Sequence, residues 1–405
     1  MRCEVRLKVF WQKYWIELTL AFIISVSFFL RIWQLGKIGE KIFDEVYFVQ
    51  FAQNYLSKTE FFDIHPPLGK LIIALALKLF GDTSFTWRIM PAIFGTLLIL
   101  VGYLIGKEIS SKRMGLLVSL ILALDGMLLV YSRTGLIDIF LSFFILLAFY
   151  FFLRFARTQE IPWLISAGVS MALAASVKYI GALILLIFIL IIIVRKIPLL
   201  KNLGYYLVFL IILPAVIYLS FFLFNFHGND FFAKVLEWHN QSFNYNFTLN
   251  DSHPYGSKWW GWFLLLRPIW LYFKDIDGKF IGVDGIGNPL AWWSSLAIIP
   301  LLIWGISKGH KDNMIILGGF LIFLLIWAPV KRVLFFYHAM PSFLFLSLGT
   351  AFWLEKLSKI HGGKYFLGFY LGVLVILFIF FLPIWLGLPL ESSHFYWRIW
   401  FKGWI

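Results

Sequence analysis

The sequence predicts an all-α polytopic membrane protein, and three observations carry that reading. Hydrophobic residues make up 61% of the 405 and charged residues only 14%, roughly half the charged share of a soluble domain. Apolar runs of about 20 residues, the length that crosses a bilayer as a helix, recur along the chain. Lysine and arginine crowd the short loops on one side of those runs, the asymmetry of cytoplasmic loops. Mean hydropathy is +0.85. The net charge of +14 therefore reads as cytoplasmic anchoring and attraction to anionic lipid before it reads as nucleic-acid binding.

The runs lie near 15–33, 86–106, 114–131, 135–153, 161–177, 179–194, 203–225, 288–305, 314–330, 338–354 and 364–386, about eleven transmembrane helices. Arg2, Arg6, Lys8 and Lys13 precede the first, in a basic start that flows into an apolar stretch too long for a signal peptide and without a small-residue cleavage pattern. An uncleaved first span is expected. Lys107, Lys112 and Arg113 follow the second run, Arg154 and Arg157 the fourth, and Arg195, Lys196 and Lys201 the sixth. Lys308 and Lys311, then Lys356, Lys359 and Lys364, continue the alternation. The N-terminus is thus expected in the cytoplasm. Segments 34–85 and 226–287 and the C-terminal tail, with sparser basic residues, are expected outside. Cys3 is the sole cysteine, so neither an intramolecular disulfide nor a Cys-based metal site is expected.

Three parts follow from this order: an N-terminal transmembrane module over 1–225, an outer loop with an interfacial helix over 226–287, and a four-helix-type module over 288–405. In the first outer loop, "PLGKLIIALALKLF" (67–80) is apolar but too short to cross, so a juxtamembrane helix is expected. The stretch 253–273 mixes Trp and Tyr with Lys258 and Arg267, a headgroup-depth composition.

Polar residues then recur at one depth, near the outer face: Asp44, Glu45, Asp63, His65, Arg88, Asp125, Arg133, Asp138, Lys178, His253, Tyr255, Asn288, Lys331, Arg332 and His338. Charges beside spans are costly and normally pair or line a wet cavity. An outer cavity holding both acids and cations is the economical reading. Taken singly, each has a plainer explanation. Asp44–Glu45 suits a solvated turn or a helix start, Arg88 can snorkel, Arg133 and Asp138 can pair with each other, and "DIHPPLGK" can simply stop one helix and start another. Together they supply a carboxylate base and cations for a lipid phosphate, Arg as a fork and Lys as a point charge. No P-loop, dinucleotide fingerprint, HExxH or nucleophile elbow is present, which argues against a nucleotide donor in a soluble fold.

"FDEVYF…FFDIHPPLGKLI", "TWRIMPAIFGTLL", "LDGMLLVYSRTGLIDIFL", "ASVKYIGALIL", "HPYGSKWWGWFLLLRPIW", "GNPLAWW" and "RVLFFYHAMPSFLF", in that order, resemble the protein O-mannosyltransferase family over most of the chain. The resemblance implies a GT-C fold and inverting transfer of mannose from a polyprenyl (dolichyl-type) phosphate to Ser/Thr hydroxyls of polypeptides on the outer face of the membrane. It puts Asp44 in the place of the catalytic carboxylate with Glu45 beside it, and Arg88 at the donor phosphate, and it carries Asp63, His65, Arg133, Asp138 and His253 into the site. From their charge and position, Arg133, Lys178, Lys331 and Arg332 are the further cations expected at the phosphate, and Asp125, Tyr255, Asn288 and His338 are expected in the same site. The lipid-linked sugar is a substrate; no cofactor and no resident metal are expected, although the acids leave room for a divalent ion. Residues 226–287 are too short for the MIR domain of eukaryotic members, Tyr47 stands where a His is expected, and Ala339 breaks a Tyr-His-Tyr pattern. These departures suggest a compact prokaryotic member in the plasma membrane. Two rivals are a GT-C transferase of another lipid-linked sugar to a lipid, glycan or small molecule, and a transporter or flippase. One-sided polarity and the lack of an inverted repeat weigh against transport.

Overall fold

The computed structural model describes residues 2–248 and 252–405, with side chains from Lys13 onward. The side chains of Arg2, Cys3, Arg6 and Lys8 lie outside the described residues. Lipid offers a backbone no hydrogen bonds, so apolar segments satisfy themselves as helices, and all eleven expected runs are helical. They are α1 (Arg2–Ile32) and, after the outer helices α2 (Glu45–Ser57) and α3 (Leu68–Phe80), α4 (Thr86–Ile109), α5 (Lys112–Ala123) with α6 (Gly126–Tyr131), α7 (Asp138–Thr158), α8 (Ile161–Val177) and α9 (Ile184–Arg195). Then come α10 (Leu199–Leu207) with α11 (Leu213–Phe221), the outer α12 (Phe231–Thr248), α13 (Pro289–Ala297) with α14 (Ile299–Ser307), α15 (Lys311–Leu325), α16 (Met340–Leu357) and α17 (Gly363–Leu386). A short α18 (Ser392–Tyr396) closes the chain.

Among the described residues, six helical stretches are long and apolar enough to cross a membrane: Lys13–Ile32, Thr86–Ile109, Asp138–Thr158, Leu199–Phe224, Pro289–Ser307 and Gly363–Leu386. The expected run 114–131 is not one helix. It breaks at Leu124–Asp125, where the Asp125 side chain accepts the Leu128 N–H at 3.0 Å and caps α6.

The helices pack through small residues where backbones come closest. A Cβ on Gly106 of α4 would stand 2.7 Å from the Cα of Gly115 in α5. The core is dense in Phe, Ile and Leu, with Phe140, Phe149 and Phe152 of α7 wholly buried.

The segments between the spans hold what positions the site. α3 confirms the juxtamembrane helix expected over 67–80. In 226–287 the helix is α12, upstream of the aromatic stretch. The end of that stretch forms β1 (Trp270–Ile276), paired antiparallel with β2 (Lys279–Asp284), and β2 takes β3 (Leu390–Glu391) as its other neighbour. The turn residues Asp277 and Gly278 both have positive φ, 51° and 78°, the conformation a two-residue type I′ hairpin requires.

The close helix crossing yields a stability test. Gly106→Ala overpacks a backbone contact and is expected to destabilise the fold by about 1–3 kcal/mol, read as a lower Tm in detergent. Gly204→Ala, at a helical position open on all sides, leaves Tm unchanged or higher.

Candidate active site

The acids of the outer loop separate into two kinds, paired and unpaired. Glu45, at the first turn of α2, is wholly buried. Its Oε1 accepts Arg88 Nε at 2.7 Å and the Gly135 N–H at 2.6 Å; its Oε2 accepts Arg88 Nη2 at 2.7 Å and the Ile42 N–H at 2.9 Å. Arg88 places its remaining N–H groups on the carbonyls of Leu35 (3.3 Å), Ile38 (2.6 Å) and Glu40 (3.0 Å). All five guanidinium donors are thereby engaged within the protein. Glu45 and Arg88 form a clamp, so the two side chains expected at the reaction centre and the donor phosphate are here bound to each other.

Other expected site residues are also structural. Arg133 does not pair with Asp138; its Nη1 takes the carbonyls of Leu30, Arg31 and Trp33 at 2.6–3.0 Å and caps the end of α1. Asp125 is buried, and its Oδ2 accepts the Asn288 N–H at 3.0 Å and Trp292 Nε1 at 2.9 Å. Asn288 in turn donates to the carbonyls of Leu124 and Leu374, both at 3.1 Å. These two residues join the halves of the chain and do not face the outer cavity. Asp63 pairs with Lys70 at 2.5 Å, both buried. His253 and Tyr255 sit in a rim loop, where His253 Nδ1 accepts the Tyr255 N–H at 3.1 Å and Arg267 lies over the Tyr255 ring. Lys331 is exposed.

What remains is a compact group. Asp138 accepts Lys178 Nζ at 2.7 Å, and Lys178 also lies 5.3 Å from the centre of the Tyr337 ring. Asp44, half-buried at the start of α2, has no side-chain hydrogen bond and no ion pair among the described residues. Burial pushes its carboxyl up to about 6, with Lys178 pulling it down and Asp138 raising it. Phe43, just before it, takes a left-handed conformation at φ 45° and packs edge-on against Phe335 and Tyr337. A non-glycine residue held there costs of order 1–3 kcal/mol and is over-represented at functional sites. Across the group, Arg332 has one long hydrogen bond, Nη1 to the Val333 carbonyl at 3.4 Å, and lies over Trp327. No carboxylate pairs with it among the described residues. His65 and His338 both lie within electrostatic reach of Lys178 and Arg332, and His338 Nδ1 accepts the Phe335 N–H at 3.1 Å.

The structure thus brings together Asp44, Asp138, Lys178, His65, Arg332 and His338. Sequence reasoning missed Tyr337, quoted within "FFYHAMP" but given no role, and Lys70, whose only signal is its place at the end of "DIHPPLGK". It also missed Asp284, buried at the end of β2, whose carboxyl burial pushes well above the carboxylate range. Among the described residues no three His, Cys, Asp or Glu side chains are grouped to hold a metal ion.

Asp44 and Arg332, each without a charged partner among the described residues, both lie within electrostatic reach of Tyr337 in a helical bundle with membrane-length apolar spans, and the class this defines is a polytopic membrane glycosyltransferase of the GT-C fold. The fold agrees: it matches the S. cerevisiae protein O-mannosyltransferase Pmt1–Pmt2 complex bound to the sugar donor, with a TM-score of 0.86 at 16% identity over 96% of this chain and 92% of that one. It also matches ArnT from Cupriavidus metallidurans bound to undecaprenyl phosphate, with a TM-score of 0.63 at 17% identity over 88% and 62% of the two chains. The chain belongs to the protein O-mannosyltransferase family. Residues 21–87 and 64–221 match dolichyl-phosphate-mannose-protein mannosyltransferase, and residues 231–404 match the C-terminal four TMM region of protein-O-mannosyltransferase. Among relatives, a polyprenol-phosphate-mannose–protein mannosyltransferase of Mycolicibacterium smegmatis is 25% identical over 94% of this chain and 90% of its own length. One from Corynebacterium glutamicum is 28% identical over 84% and 81%.

Two stability outcomes follow from the pairing pattern. Arg88→Met leaves Glu45 buried and uncompensated and is expected to destabilise by about 3–5 kcal/mol, read as loss of the folded peak in size exclusion. Asp44 behaves oppositely. Its folded pKa of about 6 exceeds the ordinary 3.8, so the native state binds the proton more tightly and ionised Asp44 is a burden. Asp44→Asn therefore melts above wild type at pH 8; the gain shrinks as pH falls through 6 and is absent below 3.8.

Proposed function

We propose that this protein transfers mannose, with inversion, from a polyprenyl-phosphate carrier to Ser/Thr hydroxyls of polypeptides at the outer face of the membrane. The observation that carries the reading is the isolation of Asp44. It is the one acid of the group with neither hydrogen bond nor ion pair among the described residues, within electrostatic reach of Lys178. The names of the relatives agree on the donor and on protein as acceptor.

The chemistry follows from charge placement. As the C1–O bond to phosphate breaks, negative charge grows on the phosphate oxygens. Arg332, with its open fork, and Lys178 stabilise that charge by preorganised electrostatics. The acceptor hydroxyl attacks the opposite face of the sugar and passes its proton to Asp44. Inversion requires no enzyme nucleophile, as in inverting glycosidases. Lys178 stays with Asp138, which fixes its ammonium and keeps Asp44 unpaired. Residues 1–225 then supply the base and one cation, and the 288–405 module supplies Arg332. The reading includes no resident metal or cofactor. It places the protein in a prokaryotic plasma membrane with a cytoplasmic N-terminus, a placement supported by the dense basic residues of the short loops.

The test is transfer of labelled mannose from mannosyl-phospho-polyprenol to a Ser/Thr-rich peptide by purified protein. Asp44→Asn is expected to lower kcat by at least about 100-fold while donor binding persists; undiminished transfer removes Asp44 as base. In wild type, kcat/KM falls as pH drops through about 6, because protonated Asp44 cannot accept the hydroxyl proton. Arg332→Met raises the donor KM about tenfold or more, with the acceptor KM unchanged.

A further inference from the structure

Asp63, His65 and Lys70 bracket a turn that the transfer reaction leaves unexplained. Lys70 is wholly buried, yet it lies in the first turn of an outer helix where its side chain could readily reach water. A lysine is almost never buried so completely without a specific arrangement of acceptors. Here its Nζ meets three: Asp63 Oδ2 at 2.5 Å, the His65 carbonyl at 2.8 Å and the Pro66 carbonyl at 2.5 Å. Asp63 uses its other oxygen to accept the His65 N–H at 3.1 Å. Both backbone groups of His65 are therefore held by one buried ion pair. Pro66 and Pro67 remove two further degrees of freedom just after it.

The same turn is set against the reaction centre. A Cβ on Gly69 would stand 2.7 Å from Ile137 Cγ2 and 3.4 Å from Val177 Cγ1. Ile137 and Val177 immediately precede Asp138 and Lys178, the paired acid and base beside Asp44. The bare Gly69 thus lets the start of α3 seat directly on the residues that carry that pair. His65 lies beside Phe48, its ring 6.1 Å away, within electrostatic reach of Lys178, Lys70, Arg332 and His338. No hydrogen bond engages its ring nitrogens among the described residues. Burial, then the neighbouring Lys178, Lys70, Arg332 and His338, drive its pKa well below the ordinary range, so the ring is neutral and one nitrogen carries a donor N–H.

We propose that Lys70 is a positioning residue which, through Asp63 and the backbone of His65 and Pro66, aims the His65 imidazole at the phosphate of the lipid donor. The proposal rests on the lipid-phosphate reading above. His65 donates a hydrogen bond to a phosphate oxygen between Arg332 and Lys178, and Lys70 touches no substrate.

The test is a double-mutant cycle on the full chain in lipid nanodiscs, with polyprenyl phosphate as probe and its Kd as readout. His65→Ala, the pair Asp63→Asn/Lys70→Met, and the triple variant are compared with wild type. The pair variant removes both buried charges together and so leaves neither uncompensated. His65→Ala and the pair are each expected to weaken binding about tenfold, one charge-assisted hydrogen bond. The triple variant is expected within about twofold of His65→Ala, because residues acting through one contact are not additive. The acceptor KM stays at the wild-type value throughout. Losses that multiply in the triple variant, or a pair variant that binds as wild type, overturn the proposal. Should the pair variant not fold, Lys70→Arg takes its place: it keeps the charge but presents a planar fork to a three-acceptor socket, and must weaken binding only where His65 is present. Asp44→Asn runs alongside. If it still transfers mannose, the base assignment falls while the Kd cycle still decides Lys70. A wild type that binds no polyprenyl phosphate overturns both.

Discussion

The buried pair of Glu45 and Arg88 is the constraint around which the outer half of the protein is built. An ion pair removed from water is tolerable only if its remaining lone pairs and protons find partners. Here they do so on three different stretches: the chain leaving α1, the approach to α2, and the turn before α7. Each stretch surrenders backbone groups that would otherwise need solvent. The clamp therefore fixes the first outer loop more firmly than its length would suggest, and Asp44 is the residue immediately before the clamped glutamate.

Several other acids are paired in the same way. Asp63 has Lys70, Asp138 has Lys178, Glu108 has Arg154 and Arg157, and Asp312 has Arg195. Asp44 and Arg332 stand without such partners among the described residues, one early and one late in the chain. Leaving one acid and one fork open, in a low-dielectric setting already framed by fixed dipoles, is how an enzyme keeps electrostatic capacity for charge that appears only during reaction. The strained backbone at Phe43 fits this picture, since the surrounding aromatic contacts hold it in place.

Much of this was legible in the sequence, for physical reasons that also explain what was not. Helical spans can be read from hydropathy because lipid forbids most alternatives, and α3 was legible because its Pro-Pro start and apolar length are local signals. The hairpin β1–β2 had a local signal too, Asp277–Gly278 between aromatic and β-branched runs, but the surrounding tryptophans made it read as an interfacial stretch. The site was legible as a set of residues and not as a set of roles. Glu45 and Asp44 are neighbours in sequence, yet one meets an arginine 43 positions later and the other meets none. Arg88 has the fork a phosphate needs, and the protein had already filled it. Pairing of that kind is decided by tertiary contact, which neither spacing nor composition encodes.

The break between α5 and α6 bears on how the protein is made. Asp125 caps the second half of an early membrane segment, but the N–H groups that satisfy its other oxygen belong to Asn288 and Trp292, which emerge from the ribosome more than 160 residues later. Two of the three groups that satisfy this buried carboxylate thus come from the far half of the chain, so its native arrangement needs both halves to have been translated.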